Sequence, residues 1–85
     1  MTTFTHVIAD SLGLHARPAG LMTKEVSAFQ CNITVEAPAG TANPRKVITL
    51  LSLGAKMGDE LVFTLDGEDE AAAASALQAF CKENL

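Results

Sequence analysis

Apolar and polar positions alternate in three segments of the chain, and each segment is predicted to be a β-strand. Alternation runs through Thr3–Ala9 and Ile33–Ala37, and it is clearest in Glu60–Asp66. A period of two residues is typical of a strand with one face covered and the other in water. A fourth, short strand is expected at Thr41–Asn43, after the turn signal Pro38-Ala39-Gly40.

A period of three to four residues predicts two helices. The first is expected over Ala16–Phe29, and the last is expected to start within the acidic segment Asp66–Glu70 and to end near Lys82. The residues expected to face the core are Ala19, Met22, Val26 and Phe29 in the first helix, and Ala73, Ala76, Leu77 and Phe80 in the last.

The apolar run Val47–Leu53 is ambiguous, because a short apolar run fits either a helix or a buried strand. The preceding Pro44 and the following Gly54 favour a helix. The resulting order is β-α-β-β-α-β-α, which predicts one α+β domain over residues 1–85. Its helices are expected to pack on one face of a four-stranded antiparallel sheet, as an open-faced sandwich.

Composition excludes several classes of protein. The 85 residues are 48% hydrophobic and carry a net charge of −4, which argues against nucleic acid or an anionic membrane as a partner. No apolar run approaches a membrane span and no signal peptide is evident, so a cytoplasmic location is expected. Cys31 and Cys81 are isolated from each other and are interpreted as reduced, small apolar residues.

The segment Gly13–Gly20, with the sequence GLHARPAG, contains the candidate chemistry. Pro18 fits only the first turn of a helix, so the helix is expected to begin near Ala16 with His15 as its N-cap. Histidine is an unusual cap, because positive charge opposes the helix dipole and the neutral ring is favoured there. The other histidine, His6, lies on the apolar side of the first strand and is assigned a structural role.

A neutral imidazole at a helix start can act as a nucleophile. A negative group transferred to His15 would lie among free backbone N–H groups, and Arg17 would add a planar cation suited to phosphate oxygens. These residues predict a phosphoryl acceptor, although an exposed polar histidine in a turn is the alternative on the residues alone.

The same segment closely resembles the active-site segment of the HPr family, the histidine-containing phosphocarriers of the bacterial phosphoenolpyruvate–sugar phosphotransferase system. The resemblance extends over the whole chain, including VITLLSLG and the acidic DGEDE before the last helix. It implies that His15 takes a phosphoryl group on Nδ1 from enzyme I and gives it to IIA domains, with help from Arg17. The backbone amides of Ala16 and Arg17 would face the phosphate.

The resemblance further implies a sheet order of 1-4-2-3 and a carrier rather than a free-standing enzyme. No cofactor or metal ion is expected, and a monomer is the expected state. One departure concerns Lys46, because many family members have at that position a serine that a dedicated kinase phosphorylates. That regulation is not expected for this chain.

The helix predicted at Val47–Leu53 can bury only one side, so the other side is expected to be an exposed interface. The apolar centre of that interface is assigned to Val47, Ile48 and Leu51, with Leu50 and Leu53 on the opposite side. Its polar rim is assigned to Arg17, Lys24, Ser27, Arg45, Lys46 and Thr49. The alternative is that all five apolar residues belong to the core.

Three functions remain open at this point. The first is a general sugar phosphotransferase carrier. The second is a dedicated carrier of the same family, either of the nitrogen-regulatory type or associated with a dihydroxyacetone kinase. The third is a regulatory binding protein that has the fold but transfers no phosphate, which the intact His15–Arg17 pair disfavours.

Overall fold

Seven elements of secondary structure make up the chain, which a computed structural model describes over residues 1–85. In chain order they are β1 (Thr2–Val7), α1 (Ala16–Val26), β2 (Asn32–Ala37), β3 (Gly40–Ala42), α2 (Val47–Ser52), β4 (Glu60–Asp66) and α3 (Glu70–Asn84). The strands form one antiparallel sheet in the order β1-β4-β2-β3. The predicted α+β architecture and the expected sheet order are therefore confirmed.

The core lies between the sheet and the helices. In β4 the side chains of Leu61, Phe63 and Leu65 are buried, as their alternation with polar residues requires. Phe63 pairs with Phe4 of β1 on one side and Val35 of β2 on the other, and the rings of Phe4 and Phe63 stack with centroids 4.6 Å apart. This row joins three strands beneath the helices.

The opposite face of the sheet is predominantly polar. Thr3, Thr5, Thr34 and Glu36 are exposed there, and only Val62 and Thr64 of the central strand β4 are half-buried.

None of the three helices has the length and apolar character needed to cross a membrane.

Three helix ends differ from the sequence prediction, the smallest difference being that α2 ends at Ser52 and not at Leu53. α1 ends at Val26 rather than Phe29, because the N–H groups of the next three residues bond to carbonyls three residues back, in tight turns, and no longer in the α-helical pattern. α3 begins at Glu70 and continues to Asn84, two residues beyond the expected end.

The buried side of α3 also differs from the prediction. Ala76 is only half-buried, whereas Ala74 and Cys81, which the periodicity did not single out, are buried. The helix packs against β1, β4 and α1 together. The residues that face these three neighbours are buried, and they differ in part from those that the periodicity predicted. Ala73, Leu77 and Phe80 are buried as predicted.

Candidate functional site

The turn that precedes α1 rests on the loop formed by residues 53–59, between α2 and β4. Leu14 N donates a hydrogen bond to Ala55 O over 3.0 Å, and the Leu14 side chain is buried. Gly13 has a φ of +68°, and a Cβ at this position would collide with the carbonyl oxygen of Ala55. Glycine is therefore required both by the backbone angle and by the close approach of the two segments.

His15 is the N-cap of α1, as its position before Arg17 and Pro18 predicted. Its backbone is extended, with φ −101° and ψ −175°, and its ring makes no capping hydrogen bond. The backbone still starts the helix, since Ala19 N donates to His15 O over 3.0 Å. About a third of the side chain is exposed (34%), so the imidazole is both accessible and free of a capping role.

The first turn of α1 leaves backbone donors unpaired beside this ring. The N–H groups of Ala16 and Arg17 have no acceptor in the protein, and the next residue, Pro18, has no N–H to offer. Both Ala16 and Arg17 are exposed. Free N–H groups at a helix start are a favourable place for an anion, and the Arg17 side chain adds a positive charge.

Acidic residues from two other segments border the same shallow hollow. Its lining residues are Asp10, Leu12, His15, Arg17, Pro18, Glu83 and Asn84. The Asp10 carboxylate lies 3.9 Å from the His15 ring, measured from Oδ2 to Nε2. The end of α3 is tied to this turn, because Leu85 O accepts hydrogen bonds from the backbone N–H groups of Ala9 and Asp10. The sequence analysis did not identify Asp10 or Glu83, since neither belongs to a recognisable motif.

The short helix α2 has the two different sides that its sequence predicted. Leu50 and Leu53 are buried, whereas Ile48 is 70% exposed and Leu51 is 38% exposed. Val47 is half-buried and packs against the core, so it belongs to both environments. The alternative that all five apolar residues lie in the core is wrong for Ile48 and Leu51. We call Val47, Ile48 and Leu51 the docking face.

The polar residues assigned to the rim of the docking face differ in whether their side chains are already bonded within the chain. Lys24 and Lys46 are exposed and take no part in a salt bridge. The Ser27 hydroxyl donates to Lys24 O. The Thr49 hydroxyl accepts from Asn43 N, and its oxygen lies 2.7 Å from both Asn43 O and Lys46 O, to which its proton can be donated.

Arg45, also assigned to the rim, makes hydrogen bonds within the chain that its sequence position did not reveal. Its guanidinium donates to the carbonyl oxygens of Val26, Phe29 and Cys31, over 2.8–2.9 Å. These are carbonyls at and beyond the end of α1, where cations are favoured. Three of the five N–H donors of Arg45 are thus engaged within the chain.

The remaining histidine and the two thiols lie away from the hollow. His6 is half-buried in β1 and its buried Nε2 has no hydrogen-bond partner, so the structural role assigned to it stays a prediction. Both cysteines are free and buried, as predicted. Burial raises the pKa of Cys81 to about 12, and burial together with Asp69 raises the pKa of Cys31, so both thiols are protonated and unreactive near neutral pH.

A histidine that caps a helix without using its ring to do so is free to accept a transferred group. The class of protein that this fold and this site define is the small phosphoryl carrier.

Comparison with known proteins identifies the family. A family model described as the PTS HPr component phosphorylation site matches residues 2–83. The phosphocarrier protein HPr of Mycoplasma genitalium is 38% identical over 85 residues, covering 99% of this chain and 97% of that protein. The chain therefore belongs to the PTS HPr family, and its role is that of a phosphoryl carrier in the phosphotransferase system.

Solved structures agree with this assignment. A Mycoplasma histidine-containing phosphocarrier protein matches with a TM-score of 0.93 and 33% identity, covering 96% of this chain and 93% of the other. An HPr from Thermoanaerobacter tengcongensis matches with a TM-score of 0.90 and 32% identity, covering 98% of this chain and 93% of the other.

Proposed function

We propose that His15 is the residue that carries the phosphoryl group, on Nδ1, and that enzyme I of the phosphotransferase system supplies it. The observation that carries this proposal is the pairing of an accessible, uncommitted imidazole with the unpaired N–H groups of Ala16 and Arg17. The N–P bond forms as the donor's bond to phosphorus breaks, and the phosphate oxygens then face those two donors and the Arg17 guanidinium.

The same site suits release as well as uptake. A carrier must hold its phosphate weakly enough to pass it on, since each ~1.4 kcal/mol of extra stabilisation shifts the transfer equilibrium about tenfold. The hollow is open to solvent, and Asp10 and Glu83 oppose a bound phosphate that Arg17 attracts. Balanced charge of this kind supports onward transfer to a IIA domain and leaves no need for a metal ion or cofactor.

The docking face and its rim supply the surface for both partners. Ile48 and Leu51 form the apolar centre, with Val47 at its edge, and Lys24 and Lys46 offer free positive charge to an acidic partner. Ser27, Thr49 and Arg45 border the same surface, although their polar groups are bonded within the chain. The protein acts as a monomeric substrate of its partners rather than as a free-standing enzyme. A cytoplasmic location is consistent with its two free thiols.

The test is phosphorylation with purified enzyme I and phosphoenolpyruvate, followed by mass spectrometry. His15→Ala is expected to abolish acid-labile, base-stable phosphate while the circular dichroism spectrum is unchanged. His6→Gln is the control, because it removes the other imidazole and is expected to retain uptake. Wild-type levels of such phosphate on His15→Ala would overturn the proposal. Transfer from the charged protein to a panel of IIA domains distinguishes a general carrier from a dedicated one.

A further inference from the structure

Asp10 is held in a fixed position beside the His15 ring. One carboxylate oxygen, Oδ1, accepts a hydrogen bond from Leu12 N over 2.9 Å, which closes a small turn around the side chain. The backbone N of Asp10 is bonded to Leu85 O over 3.0 Å. The second oxygen, Oδ2, is left to face His15 Nε2 at 3.9 Å. The carboxylate is therefore oriented by its own turn and does not depend on the histidine for its placement.

An acceptor on one side of an imidazole decides which nitrogen carries the proton. A neutral ring has one N–H and one lone pair, and a carboxylate beside Nε2 favours the N–H there and leaves the lone pair on Nδ1. The separation of 3.9 Å is longer than a hydrogen bond, but contacts of this kind are often long in the resting protein and tighten when charge develops.

We propose that Asp10 is a positioning residue that keeps the proton of His15 on Nε2 throughout the transfer cycle, so that Nδ1 is the nitrogen that reacts. The proposal rests on the proposed function of His15 and adds to it the group that selects the reacting atom.

The proton stays in place while the phosphoryl group moves. In uptake, the Nδ1 lone pair forms the N–P bond, the donor's bond to phosphorus breaks, and Nε2 keeps its hydrogen. The ring then carries a positive charge that faces the Asp10 carboxylate. In release, the N–P bond breaks with its electron pair returning to Nδ1, and the neutral Nε2–H ring is restored. No proton has to enter or leave in either direction.

Two other charged groups border the same hollow, and neither can take this role. Arg17 of α1 is a cation, so it cannot accept the Nε2 hydrogen. Glu83 of α3 is an acid that lines the hollow, but only Asp10 forms an ion-pair contact with the ring. Glu83 is thus a matched control, because its neutralisation removes the same charge from the same hollow.

Asp10→Asn is the most informative variant. Its side-chain oxygen can still accept from Leu12 N and keep the turn, while an amide NH₂ replaces the oxygen that faces Nε2. An amide donor favours a lone pair on Nε2, so the proton should move to Nδ1. In ¹⁵N NMR spectra at a pH where the ring is neutral, we expect the Nε2–H form to predominate in the wild type and in Glu83→Gln. We expect the Nδ1–H form to predominate in Asp10→Asn.

Uptake from enzyme I provides the second readout. The rate should fall in proportion to the fraction of molecules whose Nδ1 is unprotonated, so a loss of about tenfold is expected for Asp10→Asn. Glu83→Gln removes the same charge from the hollow but has no contact with the ring, so it should change the rate by a smaller factor than Asp10→Asn does. The proposal is overturned if Asp10→Asn leaves the tautomer unchanged, or if Glu83→Gln alters it equally. The NMR result requires no phosphate, so a failure of wild-type uptake would count against the proposed function alone.

Discussion

Arg17 is exposed and makes none of the contacts that would give it a role in the core. It is the second residue of α1, its side chain is exposed, and it makes no salt bridge or side-chain hydrogen bond within the chain. We expect Arg17→Ala to slow transfer from enzyme I at least tenfold, because a charge-assisted contact with the phosphate oxygens is lost. The free energy of unfolding should change by less than about 0.5 kcal/mol, as for other exposed positions.

Rapid-quench kinetics and a thermal melt measure the two effects. Arg17→Lys is the matched control, since it keeps the positive charge but loses the planar guanidinium that can bind two phosphate oxygens at once. It should recover only part of the rate. Unchanged kinetics together with a large fall in melting temperature would instead make Arg17 a structural residue.

At the scale of single residues, the sequence is most informative where a role depends on near neighbours. Gly13, His15 and Pro18 could be interpreted from their order alone, because a turn, a cap and a first helical turn are set by adjacent residues. Asp10 could not, because its effect depends on where a turn brings its carboxylate in space. The engagement of Arg45 with carbonyls 14–19 residues earlier was hidden for the same reason.

At the scale of elements, α2 provides the sharpest test, because its two sides have opposite environments. We expect Leu51→Glu to weaken binding to enzyme I by about 1–2 kcal/mol while the fold is kept, since a charge would enter the centre of an apolar contact. Leu50, one residue away, is fully buried. Leu50→Glu should therefore unfold the domain, because an unpaired charge would enter the core.

Titration calorimetry with enzyme I and circular dichroism separate the two outcomes. If Leu51→Glu unfolded the protein as Leu50→Glu does, Leu51 would belong to the core. The exposed fraction of Leu51 (38%) is smaller than that of Ile48, so Ile48→Glu provides an independent test of the same face.

The hydroxyl groups near the start of α2 bear on regulation. Lys46 occupies the cap position and has no side-chain hydrogen bond, and it offers no hydroxyl for a kinase. Thr49 is half-buried and its hydroxyl is bonded to the segment before the helix. Ser52 is at the other end of the helix and bonds to Ile48 O. Both hydroxyls are bonded within the chain, so we expect incubation with an HPr kinase and ATP to leave the protein unmodified; stoichiometric phosphate on Thr49 or Ser52 in a mass spectrum would contradict this.

At the scale of the whole molecule, Glu70 joins the beginning of the chain to the start of α3. Its carboxylate accepts hydrogen bonds from the Thr2 hydroxyl and from Gly67 N, and it lies 3.0 Å from the N-terminal ammonium. These contacts, the Thr2 hydrogen bond first, lower the pKa of Glu70 to about 2. Ionised Glu70 therefore stabilises the fold at neutral pH.

The stabilisation by Glu70 should depend on pH in one direction. A carboxyl whose pKa is lower in the folded state contributes fully above its unfolded pKa, about 4.5, and the contribution is lost as the pH falls through about 2. We expect Glu70→Gln to lower the melting temperature at pH 7, with a difference from the wild type that shrinks towards pH 2. Glu68→Gln, at an exposed position without such partners, should show no such dependence. An equal difference at both pH values would contradict the assignment.

The α+β class was predictable because most strands and helices have regular periods, whereas the sheet order followed only from the resemblance to the HPr family. Details that depend on contacts between elements were not. The Asp69 carboxylate bonds to the N–H groups of Gln30 and Cys31 and thereby joins α3 to the start of β2. A Cβ at Gly67 would lie 2.6 Å from Cys31 Cβ, another close approach between distant segments. No local pattern marks either pair, because each depends on the final packing.

The bonds of Arg45 have a consequence for how fast the protein can work. They fasten the segment before α2 to the end of α1, so the two helices that border the docking face are held together directly. A preformed surface loses little conformational freedom on contact, so each encounter requires no slow rearrangement. Complexes formed through this surface can then be short-lived and still be specific. If the protein meets a donor and several acceptors in turn, as proposed above, it would present the same preformed surface to each of them, and we expect their association to be limited by diffusion rather than by refolding of that surface.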